Sequence, residues 1–187
     1  MLTICSRHYQ LFKVYIIAAS LPAIIDVEAS GFGIHSFPIE IGVVLPNGSR
    51  FCRLIKPFDD WIHWDDSAEQ IHGISQGVIQ QRGINPIDVC HELNDFVGGQ
   101  TLYSDAWVVD NPWLLKLFGK SKVNMAFRIS SLELIMKESQ FNTWDKDKAF
   151  IARRSGLKRH RASTDACIIQ LTYERSMQRM NGNLHSL

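Results

Sequence analysis

The sequence predicts an α/β domain on a mixed β-sheet, a three-strand antiparallel meander followed by parallel strands, with helices on both faces. Three observations lead there. An apolar run over residues 22–27 ends in Ala29-Ser30-Gly31, a strand running into a turn. Two Ile/Val-rich or apolar segments, 38–45 and 49–55, flank Pro46-Asn47-Gly48, a strong hairpin signal. Beyond residue 85, helical patterns alternate with short strand-like runs, the signature of crossover units.

The elements follow in order. Residues 56–66 carry Pro57, Trp61 and Trp64 and read as a loop packed by its own aromatics; Ser67 resembles a helix cap before 68–72. Asn85-Pro86 opens a helix whose apolar positions are Ile87, Cys90, Leu93, Phe96 and Val97, stopped by Gly98-Gly99. Residues 101–103 form a fourth strand. Asn111-Pro112 opens a helix with Trp113, Leu114, Leu117 and Phe118 on its apolar face. Residues 127–130 read as a fifth strand and 131–138 as a helix, while the basic stretch 150–161 has no clear assignment. Ser163 or Thr164 caps a last helix, with Ala166, Ile169 and Tyr173 along one side.

The 187 residues suit one domain, and a hydrophobic fraction of 45% suffices for a sizeable core. With 20 Lys plus Arg against 19 Asp plus Glu, the net charge of +1 creates no global field for nucleic acid, so any such attraction must be local. Cys5, Cys52, Cys90 and Cys167 lack metal-ligand spacing and read as free thiols in a reducing cytoplasm. Residues 1–20 hold Arg7, Lys13 and the small residues Ala18-Ala19-Ser20, features of a signal peptide. Lys13 interrupts the apolar run, however, and Ala23-Ile24-Ile25-Asp26 reads better as a buried strand. The expected organisation is an N-terminal extension over 1–20, a domain over 21–178 and a polar tail over 179–187. No segment approaches the ~20 apolar residues that span a bilayer, so no membrane partner is expected.

Chemistry concentrates in three places. Asp26 and Glu28 lie two apart at the end of a strand, so both carboxylates point to one face and form a ready metal pair, or else simply a solvated strand end. Asp110 follows a short strand and precedes a helix, where backbone amides stabilise a carboxylate; taken singly, capping of that helix is the simpler account, and Asp105 lies close by. His160 precedes a helix whose first turn carries Asp165 and small residues.

Taken in order, Asp26-Val27-Glu28, Asp110 before Asn111-Pro112-Trp113-Leu114, and His160-Arg161-Ala162-Ser163-Thr164-Asp165-Ala166 resemble the three motifs of the DnaQ-like (DEDDh) 3′→5′ exonucleases, in the RNase H-like superfamily. Pro38-Ile39-Glu40-Ile41-Gly42 and Ile71-His72-Gly73-Ile74 resemble intervening segments of that family, extending the likeness over residues 23–177. Two departures stand out: Ser104-Asp105 replaces a frequent His-Asn before the second acid, leaving Asp105 and Asp110 as alternatives, and Ala29 stands where many members carry Thr or Ser.

The resemblance implies hydrolysis of terminal phosphodiesters of single-stranded DNA or RNA to nucleoside 5′-monophosphates. Asp26, Glu28, Asp110 and Asp165 would hold two Mg²⁺ or Mn²⁺ ions, which relieve repulsion between an anionic nucleophile and phosphate. His160 would act as general base, since an imidazole titrates near 6.5 in water. Ala29, Ser30, Gly31, His72, Arg159 and Arg161 would contact the 3′ end, with Arg153, Arg154 and Lys158 extending a basic cluster that reads equally as a solvated loop. Trp61 and Trp64 would border terminal bases or anchor their loop. An RNA-specific enzyme, an inactive binding module of the same fold and a homodimer stay open as alternatives.

Overall fold

The computed structural model describes residues 21–157, 159–180 and 182. The extension 1–20, Lys158, Asn181 and residues 183–187 lie outside them.

Five strands form one sheet in the order β3-β2-β1-β4-β5. β1 (Ala23–Ala29), β2 (Pro38–Val44) and β3 (Arg50–Leu54) make the expected antiparallel meander; β4 (Thr101–Ser104) joins β1 in parallel and β5 (Arg128–Ser131) joins β4 in parallel. The tight link at Pro46-Asn47-Gly48 closes by a bond from Gly48 N–H to Leu45 O (2.9 Å). Side chains alternate across the strands, which separates two cores. Ile25 and Val27 of β1 and Ile39, Ile41 and Val43 of β2 pack beneath α3 (Pro86–Val97) and α4 (Trp107–Ser121). On the opposite face Ile24 and Val44 meet Ala166, Ile169 and Tyr173 of α7 (Ala162–Met180).

Several local expectations are corrected. Asp65, not Ser67, caps α1 (Asp66–His72): its carboxylate accepts from the Ser67 N–H, while Ser67 sits inside the first turn. An unanticipated helix, α2 (Gln76–Arg82), follows under a Ser75 cap; its polar sequence lacks an apolar stripe, and Ile79 alone is buried. α4 begins at Trp107 rather than Asn111, because Ser104 Oγ accepts the Ala106 N–H (2.9 Å) and turns the chain early. Pro112 therefore lies inside the helix, and the carbonyl that loses its usual N–H partner belongs to exposed Val108. Residues 131–138 do not form an α-helix; a 3₁₀ turn (Leu132–Ile135) and a short α5 (Glu138–Phe141) replace it, the latter tied to α7 by Gln140 Nε2 donating to Ser176 Oγ (2.6 Å).

The unassigned basic stretch begins as helix α6 (Trp144–Ser155), which Gly156 ends in a left-handed conformation. Its buried Asp147 accepts from Arg175 (2.8 Å) and Arg179 (2.7 Å) of α7, and Arg175 lies 3.8 Å from the Phe150 ring centroid. α7 starts at Ala162, one turn before Asp165, since the Arg161 carbonyl accepts from the N–H groups of Thr164 and Asp165; neither Ser163 nor Thr164 is the cap. The helix continues to Met180, past the polar onset at Met177. No helix among the described residues is long and apolar enough to cross a membrane.

One close approach positions everything that follows. A Cβ on Gly42 would sit 2.0 Å from Ser163 N and 2.1 Å from Ala162 C, so the first turn of α7 rests directly on the β2 backbone. Gly42→Ala must push α7 off the sheet, with an expected loss of about 1–3 kcal/mol. Gly119→Ala, at an exposed α4 position with open space around it, should instead gain about 1 kcal/mol from helix propensity. Urea unfolding of the two variants measures both, and a Gly42→Ala protein as stable as the parent would refute the contact.

Candidate active site

Register builds the site. On the α7 face of β1 the row is Ile24, Asp26, Glu28; opposite it on β2 stand Val44, Gly42 and Glu40, paired in that order. Ile24 and Val44 seal the core, Gly42 admits the start of α7, and the two carboxylates emerge where the apolar row ends. The pairing slips between Glu28 and Ala29, which ends the regular ladder beside the site.

From the other side α7 delivers Asp165 in its first turn. Single carboxylate oxygens of Asp26, Glu28 and Asp165 all lie within 4.8 Å of one another. Asp165 is held by backbone: its Oδ2 accepts the N–H groups of His160 (2.6 Å) and Arg161 (3.2 Å). Its Oδ1 is buried without a hydrogen-bond partner among the described residues, with Arg159 Nε 3.6 Å away. His160 adopts φ 60°, a left-handed conformation rare for a side-chain-bearing residue, and its imidazole borders the same pocket.

The pocket holds about 260 Å³ and opens between β1, α1, α4 and α7. Asp110 reaches it from the first turn of α4, buried, with Ser104 Oγ donating to Oδ2 (2.5 Å). Asp105 borders it too, ion-paired with Lys148 of α6. Both second-motif candidates thus reach the pocket, and neither belongs to the trio of acids that share the 4.8 Å circle. Phe32, Ile71, Val109 and Trp113 supply apolar lining to the same pocket.

The remaining expected residues separate. Ala29, Gly31, His72 and Arg159 border the pocket. Ser30 does not: it is buried, its hydroxyl accepting the Phe37 N–H (3.1 Å). Arg161 points away to Glu40, whose two oxygens accept from its Nε at 3.1 and 3.0 Å, because β2 presents a buried carboxylate there that needs a counter-charge. Trp61 and Trp64 anchor their loop, the first stacked on Phe37 at 5.1 Å and the second donating to Glu69 (2.8 Å). His72 is buried; its Nδ1 accepts the Ile74 N–H (3.0 Å), so the neutral ring carries its proton on Nε2, which meets no hydrogen-bond partner of good geometry among the described residues. Sequence reading missed Lys148, which belongs to no motif, and gave Glu40 no role beyond its strand.

Gathering acids in a shielded space disfavours their ionisation. Burial, followed by the charges of Asp110, Glu28, Asp165 and Asp105, pushes the Asp26 carboxyl well above the ordinary carboxylate range. Glu28 is raised to about 7, first by burial and then by Asp165 and Glu40, against a lowering pull from Arg161. Asp110 is also raised to about 7 by burial and by Asp105 and Glu28, with the Ser104 bond and Lys148 opposing. Oxygen donors of this kind, one of them buried and unsatisfied, fit a hard divalent cation such as Mg²⁺ or Mn²⁺.

No family model and no curated protein sequence matches the chain. Its fold is that of solved exonuclease I structures. Against exonuclease I of E. coli in complex with a dA16 oligonucleotide, the TM-score is 0.63 at 11% identity, over 84% of this chain and 40% of that one. Exonuclease I of Methylocaldum szegediense gives 0.64 at 11% identity, over 86% and 40%. A zinc-bound complex of the E. coli enzyme with single-stranded DNA gives 0.58 at 12% identity, over 85% and 40%. The chain thus spans about 40% of the length of these proteins.

Raised carboxyls have a thermodynamic sign. Glu28 and Asp110 would titrate near 4.5 and 3.8 once unfolded and near 7 when folded, so the folded state binds more protons across that window. Stability of the metal-free protein should therefore be greatest below about pH 4, under the unfolded values of these two groups, and be lost progressively as pH rises towards and through 7. The expected drop is several degrees in melting temperature, and Mn²⁺ should reverse it at pH 7.5 far more than at pH 5. Melting curves in EDTA and in Mn²⁺ across that range test this; a metal-free protein that gains stability up to pH 7.5 would contradict the raised carboxyls.

Proposed function

We propose that the chain is a metal-dependent 3′→5′ exonuclease of the DnaQ-like (DEDDh) type, acting on single-stranded DNA ends. The observation that carries this reading is the meeting of Asp26, Glu28 and Asp165 within 4.8 Å, drawn from a strand and a helix far apart in the chain, in one pocket with His160 and Asp110. The exonuclease I fold supports it, as do the oligonucleotide complexes of those proteins.

Asp26, Glu28 and Asp165 are the residues that would hold divalent ions, with Asp110 reaching the same space from α4. When bound, the ions would neutralise charge on the attacking and leaving oxygens of a phosphodiester. The chain's own groups then account for the rest. His160 takes the proton of the attacking water, and its loop is fixed by the backbone bonds to Asp165. Arg159 and Lys148 place positive charge on the acidic pocket's rim, where a phosphate would enter. The apolar wall of Phe32, Ile71, Val109 and Trp113 suits a nucleobase, and the unpartnered His72 Nε2–H offers a donor to the terminal nucleotide.

A 5′-labelled single-stranded DNA 20-mer with Mg²⁺ or Mn²⁺ should be shortened stepwise from its 3′ end, releasing nucleoside 5′-monophosphates. Asp26→Asn should lower the rate by at least ~10³-fold, as expected for loss of charge stabilisation in a metal site. His160→Asn, which tolerates a left-handed backbone, should cost about 10²–10⁴-fold, the usual share of a general base. Undiminished activity in Asp26→Asn would end this reading. An RNA 20-mer run in parallel reports whether ribose ends are accepted.

A further inference from the structure

Among the described residues, Arg161 is unusual in serving two parts of the acidic site at once. Through its backbone, its N–H donates to Asp165 Oδ2 (3.2 Å) and its carbonyl accepts the Asp165 N–H (2.9 Å). Through its side chain, the guanidinium grips Glu40, with Nε bonds of 3.1 and 3.0 Å and a further short contact from a terminal nitrogen. Glu40 is fully buried, also accepts the Ala162 N–H (2.9 Å), and is the cross-strand partner of Glu28. One residue therefore joins the start of α7 to the strand position directly behind Glu28.

We propose, on the reading that Asp26, Glu28 and Asp165 bind a divalent ion, that the Arg161–Glu40 pair is a positioning device which sets the spacing between Glu28 and Asp165, and so the metal affinity. The physical argument is one of geometry. A bidentate Arg–carboxylate contact fixes both distance and orientation, which a flexible point charge cannot do. The carboxylates it spans repel one another, and the start of α7 is drawn to β2 at that point through Glu40, which takes both the guanidinium and the Ala162 N–H, above the Gly42 contact. Partners that orient metal-binding side chains typically change affinity by about 10- to 100-fold when removed. The pair thus takes Arg161 out of the phosphate-binding role that its basic neighbourhood suggests.

Arg161→Lys and Glu40→Gln in the full chain separate the two roles. Mn²⁺ binding is followed by electron paramagnetic resonance without substrate, and affinity for a single-stranded DNA 20-mer is measured in EDTA over a salt series. Positioning predicts Mn²⁺ affinity lowered about tenfold in both variants, with DNA affinity and its salt slope unchanged. Unchanged Mn²⁺ affinity would overturn the proposal, and a salt slope reduced by about one unit for Arg161→Lys would assign the guanidinium to a phosphate instead. Should either single variant fail to fold, Glu40→Leu/Arg161→Met removes the buried charges together; this protein must fold and still bind Mn²⁺ weakly, and wild-type affinity in it would refute the proposal. A parent chain that binds Mn²⁺ yet leaves DNA intact would end the exonuclease reading while this inference stands on the Mn²⁺ data.

Discussion

The pairing register of β1 with β2 is the constraint from which the site follows. With Ile24 opposite Val44, Asp26 opposite Gly42 and Glu28 opposite Glu40, one face of two adjacent strands changes from sealed core to helix seat to acidic rim within three cross-strand steps. A slip by one residue would send Asp26 and Glu28 into the core beneath α3 and α4, where their charge could not be tolerated. The apolar alternation of Ile25 and Val27 with Ile24 holds the register against that slip. The acids are thus placed by the hydrophobic pattern around them.

Repulsion among these acids is contained by what surrounds them. Backbone N–H groups fix Asp165, a hydroxyl fixes Asp110, Lys148 covers Asp105 and Arg161 covers Glu40. Among the described residues Asp26 and Glu28 have neither an ion-pair partner nor a hydrogen bond to their carboxylates, and burial is the first cause that raises both. The periphery of the cluster is neutralised and its centre is not, an arrangement whose charge and oxygen donors suit a cation.

Much of this was readable from the residues. The meander announced itself through Pro46-Asn47-Gly48 between two apolar runs, and the pairing of Asp26 with Glu28 needed only the period of a strand. What failed was partly local, at helix starts, and partly long-range, at one ion pair. The start of α4 was misplaced because a serine hydroxyl bonding its own backbone outweighed the proline signal at Pro112. The cap at Asp65 went to the residue whose carboxylate reached two positions ahead, a choice that composition leaves open. Arg161 looked like a phosphate ligand since it sits among Arg153, Arg154 and Arg159, and only the cross-strand position of buried Glu40 shows where its charge is needed. Pairings between residues 121 apart leave no trace in spacing.

The fastening of α6 has an uneven tolerance to change. Asp147 meets two arginines one turn apart on α7, so either guanidinium can be lost and the carboxylate still keeps a counter-charge, whereas losing Asp147 leaves two neighbouring cations without their shared anion. Redundancy on one helix thus makes a single acid on the other the brittle member. Since Lys148 is its immediate neighbour in the chain, damage at that buried anchor would reach the pocket through the backbone, without altering any residue that lines it.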